Sequence, residues 1–172
     1  MGLDMYLERE VYVGGNYEHR KVTGNIDIKI KEVPLRINLE EVSSIIIQTA
    51  YWRKVNAVHS WFVENVQEGI DECQRSYVSV EQLRELRELC VQTIELVKGC
   101  SKIVSLEKDW NDEEYTYVKY DVDDLDLELT PQAGFFFGSQ EIDIYFIQDL
   151  EETVKMLSNL SDRDSYYYQA SW

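Results

Sequence analysis

Trp52, Arg53, Asn56 and His59 stand within one short stretch and carry side chains suited to binding or catalysis. Histidine titrates near neutrality and is the commonest general acid or base. Arginine pairs with phosphate or carboxylate through a bidentate fork, and an indole stacks on flat rings. On a helix, Trp52, Asn56, His59 and Val63 fall at i, i+4, i+7 and i+11, one stripe mixing apolar with polar groups. An amide or imidazole buried without partners costs roughly 1–3 kcal/mol. The stripe therefore implies either an internally satisfied network or the wall of a pocket.

No nucleophile elbow or orienting carboxylate stands at a defined spacing from His59. A hydrogen-bonded core histidine is the simpler expectation, ahead of ligand binding and of catalysis. Gln132 precedes a second segment, Gly134-Phe135-Phe136-Phe137-Gly138-Ser139. Its glycines permit close approach of backbone to a ligand or to a neighbouring element, and a short buried strand is expected there. The spacing matches neither a dinucleotide fingerprint nor a P-loop.

Acidic residues form the third group. From Glu107 to Glu128 there are ten acids and two lysines, half of the chain's net charge of −16. Asp121, Asp123, Asp124 and Asp126 offer hard oxygen ligands, but Leu125 occupies the third ligand place of an EF-hand loop and no glycine follows. Two histidines and three cysteines are too scattered for zinc, and no metal or other cofactor is expected. A solvated face is the plain expectation. The sharper one is a surface for a basic partner, formed by these four aspartates with Glu128. Carboxylates on alternate positions of a strand lie about 6.6 Å apart and can imitate a phosphate track.

With 33 acids against 17 basic residues, the chain is repelled by nucleic acid and by anionic membranes, so direct binding to either is not expected. Aromatics at 12% and hydrophobic residues at 44% argue for a packed core rather than disorder. Cys73, Cys90 and Cys100 are an odd set without a C-x-x-C pair, which fits a reducing cytoplasm. The first residues read neither as a secretory signal nor as an acylation site, and no apolar run matches a membrane span.

The elements that must position these groups are read from periodicity. Alternation predicts strands over 2–13 and 25–33, joined as a hairpin by a long loop. Asn38 and Glu41 read as a capping box, with Ile37 and Val42 as its staple. The apolar pattern from Ile45 to Val66 then predicts one long helix, or a short segment followed by a helix over 49–67. Ser79 and Gln82 form a second capping box, stapled by Val78 and Leu83, ahead of the stripe Leu83, Leu86, Cys90, Ile94, Val97 and a stop at Gly99. Leu125, Leu127 and Leu129 alternate with acids and suggest a strand. A third helix is expected over 141–160, and Tyr166–Trp172 reads as a final strand. The whole predicts a single α+β domain over 1–172, about three helices on a mainly antiparallel sheet that includes both terminal strands.

Four segments together, MGLDMYL, YWRKVNAVHSWF, GFFFGS and the closing YYYQASW, resemble a family of small proteins encoded in bacteriophages and prophages. The resemblance spans nearly the whole chain and is weakest in the acidic middle. It implies a phage setting and the bacterial host cytoplasm, and brings no catalytic residue or cofactor. The function expected on these grounds is a phage accessory protein, of the anti-defence or host-takeover kind, that inhibits or sequesters a host component without catalysis. Its partner would be a host protein with a basic surface. Alternatively it would hold a small nucleotide-like ligand, with Trp52 on a base, Arg53 on phosphate, and Asn56, His59 or Gln132 on polar edges. A rival class is a nucleotide hydrolase or transferase using His59 as base, and a third is a structural or assembly protein.

Overall fold

A computed structural model describes residues 2–13, 18, 28–30, 33–35, 37, 42–134 and 138–172. Strands β1 (Asp4–Tyr12), β4 (Ser44–Arg53), β5 (Ser76–Val78) and β8 (Ser165–Ser171) form an antiparallel sheet in the order β4-β1-β8-β5. β2 (Ile28–Ile30) pairs with β3 (Val33–Leu35), and β6 (Lys102–Lys108) pairs with β7 (Glu114–Tyr120), each as a separate antiparallel ribbon. The helices are α1 (Asn56–Asn65), α2 (Val80–Lys98) and α3 (Ile144–Met156). The protein is α+β, with its N- and C-terminal strands side by side at the centre of the main sheet.

Alternation in β1 sends Leu3, Met5 and Leu7 to one face, where all three are fully buried. The register sets Met5 between Trp52 and Ala170, and Leu7 between Ala50 and Tyr168, so three strands contribute to one apolar surface. Onto it pack Val58 and Phe62 of α1, Leu83, Leu86 and Cys90 of α2, and Phe146, Ile147 and Leu150 of α3. Each large aliphatic side chain buried in this way contributes about 1.5–3 kcal/mol. Burial also pushes the Cys90 thiol up to about 12, so it packs as a small neutral hydrophobe.

Two helices start and stop where their residue types direct. Ser79 caps α2 with the reciprocal bonds of a capping box: the Gln82 N–H donates to Ser79 Oγ at 3.1 Å, and the Ser79 N–H to Gln82 Oε1 at 3.0 Å. Gly99 ends it with right-handed φ of −75°, so the stop does not rest on a left-handed glycine. Asp143 caps α3 by accepting from the Phe146 N–H at 2.8 Å, which sets that helix inside the expected 141–160.

Other expectations are corrected. β1 pairs with β4 and β8 rather than with a strand at 25–33. The stretch Ser44–Arg53 is a strand, not the front of a helix. Three consecutive isoleucines, Thr49, Tyr51 and Trp52 favour extended backbone, and β1 offers a ladder to pair with. Residues 125–129 lie in irregular backbone after a turn closed by the Leu125 N–H on the Val122 carbonyl at 2.9 Å. Leu129 is buried and Asp126 and Glu128 are exposed, so the alternation reports burial without a ladder. The capping box at Asn38 and Glu41 and the phenylalanines of the 134–138 strand fall outside the described residues, while Gly134 and Gly138 lie in irregular backbone.

Candidate functional site

His59 sits on α1 with 2% of its surface exposed, and both ring nitrogens meet protein groups. Nδ1 lies 2.7 Å from the Tyr168 hydroxyl and Nε2 lies 3.0 Å from Asp71 Oδ2. Burial, and after it the Asp71 charge, hold the Tyr168 hydroxyl well above the usual tyrosine range. The Asp71 carboxylate accepts from an Nε2–H, and in the tautomer that carries its proton there Nδ1 accepts from the Tyr168 hydroxyl. Asp71 Oδ1 also accepts from the Trp172 indole at 3.2 Å, joining the loop after α1 to the last residue of the chain. Phe62, one turn on from His59, stacks on Tyr168 with centroids 3.8 Å apart and planes 7° from parallel, adding about 0.5–1.5 kcal/mol.

Asn56 opens α1 and is buried. Its amide Nδ2 donates to the Ser139 carbonyl at 2.8 Å, and its Oδ1 accepts from the Gln132 backbone N–H at 3.2 Å. One side chain thus clamps both flanks of the glycine-bounded phenylalanine segment. A Cβ on Gly138, whose φ is +100°, would lie 3.0 Å from the Lys54 carbonyl oxygen. The close approach at this glycine is to the β4–α1 turn, where Lys54 itself takes a φ of 61°. The helix, the segment flanks and the C-terminal strand therefore pack together.

Trp52 lies on β4 and so does not share a helical stripe with Asn56, His59 and Val63 of α1. Trp52 is 2% exposed, and its indole N–H donates to Thr153 Oγ1 of α3 at 2.9 Å. Arg53 follows on the strand and is exposed on the opposite face. The two side chains thus leave opposite faces of β4. The Gln132 side chain is exposed and its Nε2 lies 3.4 Å from Thr130 Oγ1.

An open cleft of about 430 Å³ lies between α1, α2 and residues 128–132. Glu64 of α1, Glu85 and Glu88 of α2, and Glu128 line it, with Trp61 and Leu89 as apolar wall and no lysine or arginine among the described lining residues. Asp121, Asp123, Asp124 and Asp126 are exposed on the loop that leads to Glu128. The expected acidic surface thus leads into a concave site. A smaller cleft of about 110 Å³ holds Asp149 beside Lys54 and Asp143. Burial, then Glu152 and Asp143, push the Asp149 carboxyl up to about 6.

No protein-family model, curated protein or solved structure matches this chain. Among the described residues, no group of three or more His, Cys, Asp or Glu side chains converges as a metal site would require. Among the described residues, no helix is long and apolar enough to cross a membrane.

Sequence reasoning missed Asp71 and Tyr168, which lie 12 and 109 positions from His59 and meet it only through the fold. It also missed Glu64, Glu85 and Glu88. A signal existed for two of these: Glu85, Glu88, Leu89 and Gln92 recur at i, i+3, i+4 and i+7, a polar face of α2 beside its apolar stripe.

Proposed function

We propose that this is a non-catalytic binding protein whose acidic face receives a basic partner and thereby inhibits or sequesters it. The observation that carries the proposal is the cleft lined by Glu64, Glu85, Glu88 and Glu128, approached through Asp121, Asp123, Asp124 and Asp126. Its volume suits a lysine or arginine side chain with part of the segment that bears it. Four carboxylates, with no cation among the described lining residues, attract positive charge, speed encounter and fix register.

The geometry of His59 favours this reading over a hydrolase or transferase. A general base needs a lone pair within reach of substrate, and here Tyr168 and Asp71 occupy the two ring nitrogens inside the core. The buried Trp52 likewise offers no open stacking platform for a nucleotide. Resemblance to phage and prophage proteins supports a host component as the partner and the bacterial cytoplasm as the place of action.

Capture with tagged protein from phage-infected cells tests the proposal. We expect a basic host protein to be retained by the wild type and lost from a variant carrying Asp121→Asn, Asp123→Asn, Asp124→Asn, Asp126→Asn and Glu128→Gln. Equal retention by the two proteins would refute it.

A further inference from the structure

The ribbon β6–β7 holds a surface that the acidic cleft does not use. Backbone N–H groups of Asp121 and Asp109 donate to the carbonyls of Ser101 and Glu113, so the pairs 101/121 and 109/113 are hydrogen-bonded ones. Hydrogen-bonded pairs alternate in an antiparallel ladder. Ile103, Ser105 and Glu107 therefore turn their backbone groups toward β7, while Lys102, Val104, Leu106 and Lys108 turn theirs outward.

On the β7 side the root of the ribbon is tied down. The Tyr120 N–H donates to the Ile142 carbonyl at 3.0 Å, the Tyr117 hydroxyl donates to Asp143 at 2.6 Å, and Lys119 pairs with Glu141 at 2.6 Å. On the β6 side, among the described residues, no strand adjoins. Val104 and Leu106 are 63% and 75% exposed, and Trp110 at the turn is 91% exposed. Native edges are usually blunted by a bulge, a proline or central charges. β6 runs in unbroken register with none of these at its centre.

We infer that the outward edge of β6, unpaired among the described residues, takes up an extended basic segment of a partner protein as an added antiparallel or parallel strand. Charge selects the occupant. The stretch 102–114 holds five acids against two lysines, and Lys108 is already paired with Asp112 at 2.9 Å. A second copy of the chain would bring a further −16. Partner side chains beside Val104 and Leu106 are apolar, and those toward Glu107 and the turn are lysine or arginine, so the segment alternates the two types. The inference rests on the basic-partner reading above and adds the manner of engagement.

A synthetic peptide of alternating lysine and valine serves as probe, with a counterpart N-methylated at alternate residues that cannot complete a ladder. Val104→Pro removes an outward N–H and spares the bonds to β7. We expect the peptide to bind the wild type, and binding to fall about tenfold or more on N-methylation of the peptide and in Val104→Pro. The N-methylated peptide tests the intact protein, so the outcome does not depend on how Val104→Pro folds. Equal binding of both peptides, no binding of either, or self-association through β6 in sedimentation would overturn strand addition. Loss with Asp121→Asn, Asp123→Asn, Asp124→Asn and Asp126→Asn together, but not with N-methylation, leaves the acidic-face reading standing and removes this one. The converse pattern keeps the strand and removes the acidic face.

Discussion

Replacing His59 by alanine strands the Tyr168 hydroxyl and one side of Asp71 inside the fold. Two lost bonds and a cavity together cost about 3 kcal/mol, and we expect that loss in urea unfolding while the folded variant still binds its partner. Unchanged stability would mean that the network does not hold the core. Asp149 supplies a second test. Its carboxyl is raised from 3.8 to about 6, so the fold favours the protonated form. That contribution is full below the ordinary aspartate range and is lost as pH rises through about 6. Asp149→Asn stays neutral at every pH, so it should be the more stable protein above pH 6, with the gap closing toward pH 4 in urea titrations. At this scale the sequence showed that Asn56 and His59 need partners, because buried amides and imidazoles do. It could not show which partners, since Asp71, Tyr168, Ser139 and Gln132 reach them only through folding.

Elements whose signals are local were the legible ones. The α2 capping box lies within four residues and needs no tertiary information. Ser79→Ala should cost about 1 kcal/mol in thermal or urea unfolding. No measurable cost would mean that the reciprocal bonds contribute nothing beyond solvation. The strand β4 was harder to read because Ile45, Ile46, Ile47, Ala50, Trp52 and Val55 fit a helical stripe as well as an extended run. What decides for strand is the ladder from β1, which the sequence of β4 does not contain. The acidic stretch 125–129 failed in the opposite sense: alternation was present, but no strand adjoins it among the described residues.

Across the whole molecule, the α+β class and the placement of both terminal strands in one sheet followed from alternation at the N-terminal end and from the aromatic run Tyr166–Tyr168 with Trp172 at the other. The order β4-β1-β8-β5 did not, because each pairing joins residues far apart in the chain. Net charge is the property that carries most directly from composition to the function proposed above. Five acids from Asp121 to Glu128 and three glutamates of α1 and α2 gather where a concave site opens. The measurement that bears most directly on an acidic binding face is the affinity for the captured partner as a function of salt. Between about 50 and 200 mM salt we expect a steep fall for the wild type, by analogy with the ionic dependence of phosphate recognition, and a shallow one for the variant neutralised at Asp121, Asp123, Asp124, Asp126 and Glu128. Parallel curves of equal affinity for the two proteins would contradict it.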